Sequence, residues 1–257
     1  LSEGSTVSDC YVTGFTGVAN TNSLHVAGLI GYIPNVSGDA TVVKNCLVKD
    51  ITLNGKNSLG EVIGNCVATN ATFKYLRYNN CSLNRVSGGS TFTCPGAGSA
   101  SAAAMTSGEL AWKLNTTGGS EENSLIWTQG TTQPEFSSST KAGTVRVSYL
   151  NPSGTVYRYT DSDGKIDSIP TPDFGYAWAD VSTSFTADTE IAAVESDSAL
   201  SGKKILFLGD SITAATRDDA TQKGWAGRIG TDYGAITTNA GWSGASDEGT
   251  GMERITK

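Results

Sequence analysis

A short motif built around a cysteine occurs three times in the first hundred residues of the chain. It reads DCYV at residues 9–12, NCLV at residues 45–48 and NCSL at residues 80–83, with spacings of 36 and 35 residues. Between these motifs, AGLIG at residues 27–31 and GEVIG at residues 60–64 are 33 residues apart. A period of this length is typical of proteins in which each repeat stacks on the next.

Apolar side chains alternate within each repeat, as Cys46, Val48, Ile51 and Leu53 illustrate. Such alternation is typical of short strands with one buried face, and Gly and Asn suit the corners because they tolerate left-handed backbone conformations. The pattern therefore predicts a β-solenoid over residues 1–95, with the cysteines as a buried ladder of small hydrophobic side chains. Five cysteines at long spacing are a poor disulfide framework, but a disulfide between neighbouring coils stays open.

The apolar-Gly-apolar-Ile-Gly segments resemble the glycine-rich GLUG-type repeats of bacterial surface proteins. The resemblance covers about residues 5–95. It implies an array of repeats displayed outside the cell, of which this segment would be the end.

Residues 96–143 are predicted to be a linker followed by a segment that closes the solenoid. Residues 96–104 are a run of small residues, and a short helix capped by Thr106 or Ser107 is expected to follow. The later Trp-Thr-Gln-Gly and Pro-x-Phe sequences look like the segment that closes repeat arrays in gut bacterial surface proteins. We expect this segment to cover the exposed end of the solenoid.

Residues 144–198 are predicted to form a small β spacer module. Residues 144–150 and 155–159 alternate in hydrophobicity on either side of an Asn-Pro-Ser-Gly turn. Residues 170–189 are similar to β-grasp-like repeats of bacterial surface proteins, which serve as spacers or adhesive units. The DSDG sequence at residues 161–164 is interpreted as a tight acidic turn, because the further ligands of a calcium loop are absent.

Charge and composition exclude several classes of function. The net charge is −7 without a cluster of basic residues, which argues against nucleic-acid binding. Residues 101–199 account for the negative net charge, with 13 acidic and 5 basic residues. No apolar run is long enough to span a membrane, and no Cys-x-x-Cys pair suggests zinc. The single histidine, His25, is expected to be a solvent-facing strand or corner residue, and neither a metal nor a cofactor is expected.

The last part of the chain, residues 199–257, has the pattern of an α/β domain. KKILFL at residues 203–208 is typical of a buried parallel strand, and it leads into Gly209, Asp210 and Ser211. A serine in this place lies where open α/β sheets bind ligands. Backbone N–H groups at the start of a following helix would then face an oxyanion.

The segment at residues 205–213 resembles block I of the SGNH, or GDSL, hydrolases, which are serine esterases with a flavodoxin-like α/β fold. Residues 224–229 resemble the first helix of that family, and residues 236–246 resemble its second strand and block II. The resemblance implies that Ser211 is the nucleophile. It also implies that the backbone N–H groups of Ser211 and Gly244 are oxyanion-hole donors.

The rest of the family pattern is only partly present in the sequence. Gly209 and Asp210 belong to the motif, and Asp210 is expected to order the turn. The Gly-x-Asn-Asp block and the Asp-x-x-His block, which carry a third oxyanion donor and the general base in the family, do not occur in this sequence. A serine hydroxyl without a base is a weak nucleophile. Residues 199–257 are therefore interpreted as an incomplete hydrolase domain that is inactive as given, in an internal piece of a longer protein.

Two functional hypotheses follow. The first is an extracellular bacterial esterase, displayed on the cell surface or secreted, that hydrolyses acyl or acetyl esters of carbohydrate through Ser211. Its partners would be the ester substrate and a cell-wall or glycan surface, with no nucleic acid and no membrane insertion. The second is a non-catalytic surface protein or adhesin whose solenoid binds a partner. The predicted fold class is mainly β: solenoid repeats, a β spacer and the truncated start of an α/β domain.

Overall fold

Short strands form most of the regular structure of the chain. The computed structural model describes residues 4–18, 25–35, 38–56, 58–86, 90–196, 200, 203–208, 229 and 235–239. Two units are distinguished. The first comprises Leu1–Ser148, Tyr157–Ile169 and Ser182–Thr189, and the second comprises Tyr149–Val156, Pro170–Val181 and Glu190–Lys257. Within the part that is described, no helix is long and apolar enough to cross a membrane.

A β-solenoid, as predicted, forms the beginning of the first unit. Its strands are β1 (Thr6–Ser8), β2 (Tyr11–Thr13), β3 (Thr16–Val18), β4 (His25–Ala27), β5 (Ile30–Ile33), β6 (Val42–Lys49), β7 (Thr52–Gly55), β8 (Ser58–Gly60), β9 (Ile63–Cys66), β10 (Thr72–Asn79) and β11 (Ser82–Arg85). Each coil stacks in parallel on the preceding one: β1 and β2 pair with β6, and β6 pairs with β10. The same stacking joins β3, β7 and β11, and it joins β4 to β8 and β5 to β9.

The register confirms one predicted spacing and corrects another. Ala27 pairs with Gly60, which is the predicted spacing of 33 residues. Cys46 is in register with Leu76, however, and Cys81 directly precedes Ser82, which pairs with Thr52. The predicted ladder of three cysteines is therefore wrong at its last step. Leucine fills an inward-facing position as well as cysteine does. Repeated cysteines are therefore a poorer guide to strand register than the pattern of inward-facing apolar residues.

Two rows of left-handed residues run up the solenoid. Each row has one member in each coil: Asp9, Asn45 and Tyr75, with φ of 53°, 56° and 49°, and Gly14, Asp50 and Asn80, with φ of 71°, 52° and 50°. A left-handed residue inside a strand acts as a bulge and reverses the alternation of side chains. Val43 and Cys46 therefore both face the solenoid core, although three positions separate them, and Leu47 faces outward.

The segment after the solenoid adds one strand and two short helices. Its elements are β12 (Ala97–Ser99), α1 (Ala102–Thr106), α2 (Glu109–Asn115), β13 (Trp127–Gln129) and β14 (Pro134–Phe136). Strand β12 pairs in parallel with β10 and so covers the last coil, although it lies in the predicted linker and not in the Trp-Thr-Gln-Gly or Pro-x-Phe sequence. Helix α1 lies partly within the predicted linker, because the Ser101 hydroxyl caps it by accepting a hydrogen bond from the Ala104 N–H. The N-cap position of α2 is Gly108, which makes no side-chain capping bond, and the Ser107 hydroxyl accepts a hydrogen bond from the Glu109 N–H at 3.4 Å.

The helices pack on the outer face of the first sheet. Leu47 is fully buried there among Leu110, Leu114 and Trp127. The Trp127 indole N–H donates a hydrogen bond to the Asp9 carboxylate at 3.2 Å. The segment therefore covers a side of the solenoid as well as its end, which the sequence did not predict.

The strands of the predicted spacer are β15 (Arg146–Asn151), β16 (Gly154–Tyr159), β17 (Tyr176–Trp178) and β18 (Thr189–Glu195), in one sheet of order β16-β15-β18-β17. The buried Tyr149 ring meets Trp178 at 4.9 Å between ring centres. The Asp161 carboxylate accepts hydrogen bonds from the N–H groups of Asp163 and Lys165, which makes the tight acidic turn that was predicted. The second unit also contains β19 (Lys204–Phe207) and β20 (Ile236–Asn239).

We predict that Leu47→Ala lowers the free energy of unfolding by about 2–5 kcal/mol, because it leaves a cavity between the first sheet and the helices. The measurement is urea unfolding followed by tryptophan fluorescence. Val18→Ala is the control, since Val18 is 78% exposed and its loss should change stability by less than about 0.5 kcal/mol. Equal effects of the two substitutions would show that Leu47 is not packed as described.

Candidate functional site

The four residues predicted from the hydrolase resemblance lie outside the described residues. These are Gly209, Asp210, Ser211 and Gly244. Their predicted roles as motif, nucleophile and oxyanion donor therefore remain predictions.

The strands on either side of that motif are described. Strand β19 ends at Phe207, and β20 lies parallel to it with Lys204 opposite Ile236 and Phe207 opposite Asn239. A parallel neighbour is what the sequence predicted for these two segments. The strand is not buried as expected, because Leu206, Leu208 and Ile236 are each more than half exposed. The apolar side chains thus alternate between a covered and an open face.

His25 lies on β4, and its ring stacks on Tyr32 with 4.6 Å between ring centres. Its Nδ1 atom is buried rather than solvent-facing, and it has no hydrogen-bond partner among the described residues. No group of metal-ligating side chains occurs in the described part of the chain. His25 is therefore placed as a packing residue of the solenoid.

The cysteines are placed as structural residues too. All five are unpaired, so the structure has no disulfide between coils. Burial raises the pKa of Cys46 to about 12 and that of Cys94 to about 12. The thiolate is the reactive form of cysteine, so neither thiol is activated as a nucleophile.

A cavity of about 750 Å³ opens in the first unit, at a place that the sequence did not predict. Helix α2 contributes Trp112 to its lining, β15 contributes Arg146, and β16 contributes Tyr157 and Tyr159. The loop that follows α2 and the segment at residues 186–188 complete the lining. The volume is within the range of small-molecule sites in proteins. These residues come from distant parts of the sequence and form no motif, so the sequence offered no signal for them.

Arg146 is held between two aromatic rings of this cavity. Its guanidinium carbon lies 4.2 Å from the centre of the Trp112 ring and 5.0 Å from that of Tyr157. Such cation–π contacts fix the plane of the guanidinium without using its N–H groups. The buried Nε atom has no hydrogen-bond partner among the described residues.

The Asp188 carboxylate is fixed beside Arg146 by three donors. One oxygen accepts hydrogen bonds from the Arg146 backbone N–H at 2.8 Å and from the Asn123 amide at 3.1 Å. The other accepts from the Trp112 indole N–H at 2.9 Å. Asp188 therefore joins α2, β15 and the loop into one wall.

Ion pairs neutralise part of the negative charge of the cavity. Glu121 lies 2.7 Å from Lys44 and 3.4 Å from Lys74, and the hydrogen bond from Lys44 is the main reason that its pKa is lowered to about 2. Glu109 pairs with Lys113 at 2.5 Å. Burial is the main reason that the pKa of Tyr159 is raised to about 12, and the Glu109 charge adds to it. Tyr159 therefore stays protonated at neutral pH.

The chemistry of this cavity is that of a binding site. Aromatic rings, one guanidinium and several carboxylates converge on it, but its lining contains no histidine or cysteine to pair with a nucleophile. The cavity and the predicted serine motif are therefore separate candidates. No protein-family model, curated protein or solved structure matches the chain.

We predict that Glu121→Gln lowers stability at pH 7 by no more than about 1 kcal/mol, because the side chain is 35% exposed and solvent screens the pair. The lowered pKa means that this contribution is present above about pH 4.5 and disappears as the pH falls towards 2. Urea unfolding of both proteins between pH 7 and pH 2 measures the difference. Glu122→Gln is the control and should show no such convergence. A difference that persists at pH 2 would contradict the ion pairs.

We also predict rapid amide hydrogen exchange over Ile205–Leu208 compared with β6, because the exposed apolar side chains of β19 leave one face of the strand open. Exchange detected by mass spectrometry on the monomer tests this. Protection equal to that of Val42–Lys49 would mean that the strand is covered.

Proposed function

We propose that the chain is part of an extracellular bacterial serine esterase of the SGNH type that hydrolyses acyl or acetyl esters of carbohydrate. The supporting observation is the Gly-Asp-Ser sequence that follows β19, a strand with a parallel neighbour in β20. In parallel α/β sheets, ligands bind beyond the carboxyl ends of the strands. The solenoid and the spacer would serve to display the domain at the cell surface.

The proposed reaction is acyl transfer through Ser211. The Ser211 Oγ attacks the ester carbonyl while a base removes its proton, and the oxyanion of the tetrahedral intermediate accepts hydrogen bonds from the N–H groups of Ser211 and Gly244. The C–O bond to the alcohol then breaks and leaves an acyl ester on Ser211. Water hydrolyses this ester, which releases the acid and restores the hydroxyl.

The general base of this reaction is proposed to be a histidine outside these 257 residues. The chain has one histidine, and its ring is engaged with Tyr32 in the solenoid. Removing the nucleophile or its base from a triad lowers the rate on the order of 10⁶-fold. This chain by itself is therefore proposed to be inactive.

A binding protein without catalysis is the second candidate. The cavity beside Arg146 favours it, since that lining suits binding and lacks a nucleophile with its base. Such a protein would attach to a partner or surface through its first unit.

We predict no hydrolysis of p-nitrophenyl acetate by this chain above the level of its Ser211→Ala variant. A longer form of the protein that contains an Asp-x-x-His block should hydrolyse the ester, and Ser211→Ala should lower its rate by a factor on the order of 10⁴–10⁶. Ser168→Ala, at an exposed serine, is the control and should be fully active. A longer form in which Ser211→Ala has no effect would exclude the serine mechanism. Ser211-dependent turnover by the present chain would show that the base lies within it.

A further inference from the structure

The Arg146 guanidinium has more donors than the protein uses. Among the described residues it forms no salt bridge, and its buried Nε atom has no acceptor. Its contacts are the faces of Trp112 and Tyr157. A planar group with five N–H donors, held in a fixed plane beside a cavity, is suited to an acceptor that enters from outside.

The neighbouring carboxylate does not fill this role. Asp188 accepts from the backbone N–H of Arg146, from Trp112 and from Asn123, and it is in none of the salt bridges of the described residues. These three bonds hold Asp188 in place instead. The guanidinium is therefore left for a ligand.

The net charge of the lining residues limits the negative charge that a ligand can carry. Four acidic residues and two basic residues line the cavity, and Lys44 and Lys74, outside the lining, neutralise one of the acids, Glu121. Three acidic and two basic residues remain, a formal balance of −1, which opposes a doubly charged phosphate more than a singly charged carboxylate. A carboxylate also matches the planar fork of an arginine with two parallel hydrogen bonds.

The remaining lining residues indicate which kind of molecule would carry the carboxylate. Tyr157 and Leu125, which are 48% and 38% exposed, provide apolar surface, and Glu122 and Thr186 are exposed polar groups on the lining. Apolar surface beside several hydrogen-bonding groups suits a polyhydroxylated ring, which has an apolar face as well as hydroxyl groups.

We propose that the cavity binds an acidic sugar, a hexuronate, whose carboxylate pairs with Arg146. Its ring lies against Tyr157 and its hydroxyl groups face Glu122 and Thr186. This site shares no residue with the serine motif. Its success or failure is therefore independent of the proposed esterase activity.

The test compares a charged ligand with two neutral ligands that have the same sugar ring. The full chain, labelled with ¹⁵N, is titrated with sodium glucuronate, with glucuronamide and with glucose, and the indole N–H signals are followed by NMR. The Trp112 signal, assigned by Trp112→Phe, should shift saturably with glucuronate. We expect glucuronamide and glucose to bind at least about tenfold more weakly, because each lacks the charge-assisted bond. Equal affinity for glucuronate and glucuronamide, or no shift of Trp112, would overturn the proposal.

A pair of variants tests the guanidinium itself. Arg146→Gln keeps part of the side chain but should lose about tenfold in glucuronate affinity and all preference over glucuronamide. Arg158→Gln is the control, since Arg158 is engaged with the Ser168 and Tyr157 carbonyl groups and lies outside the lining. Thermal unfolding shows whether each variant is folded, and the titrations of the unmodified chain decide the question if Arg146→Gln is not. Unchanged binding by folded Arg146→Gln would overturn the proposal.

Two further probes separate the sources of a carboxylate. An oligogalacturonide that binds with the same dependence on Arg146 would support a polymeric source, and binding of free glucuronate alone would support a monomeric one. A dipeptide with a free carboxyl terminus is the third probe. Arg146-dependent binding of the dipeptide without binding of either sugar would identify a peptide site and contradict the sugar proposal.

Discussion

The backbone hydrogen bonds between successive coils are the interaction on which the first unit depends. Leu47 N–H donates to the Cys10 carbonyl at 2.9 Å, Thr72 N–H to Thr41 at 2.8 Å and Ser82 N–H to Ile51 at 2.9 Å. Many of these strands have only three or four residues, and so short a strand is not stable by itself. Stacking satisfies the polar backbone and places the same face of every coil towards one core. The stacked coils also form a regular outer face, and the helices pack on it.

The repeat period predicts the solenoid. It does not predict the register of every strand, because different residue types fill equivalent positions in successive coils. The 33-residue spacing is correct because Gly31 and Gly64 mark equivalent positions that have no room for a side chain: a Cβ on either would lie within 3.0 Å of a backbone oxygen. A cysteine indicates only that its position is buried, and Leu76 and Ile51 fill equivalent buried positions equally well. Helix α1 was missed because a run of Ala and Ser carries a helix propensity but no amphipathic pattern. The packing of α2 against Leu47 joins distant residues that no local pattern connects.

The two candidate sites differ in how far the sequence alone predicts them. A nucleophile at a strand end has a local motif, so Gly209, Asp210 and Ser211 could be proposed without a structure. The cavity around Arg146 depends on side chains from α2, β15 and β16, and only the fold brings them together. The acidic residues of the middle of the chain have specific roles there. Asp188 ties three elements together and Glu121 joins the loop to Lys44 on β6.

The left-handed rows also bear on how such a protein evolves. From the first coil to the second these rows are 36 residues apart, and from the second to the third they are 30 apart, yet the strands keep their register. The difference in length is therefore taken up by the connections between sheets, where insertions and deletions are tolerated. A duplicated coil would join the stack if it carried two residues that accept a left-handed backbone and an inward apolar row. The number of coils is thus open to change by recombination, while the geometry of each coil is not.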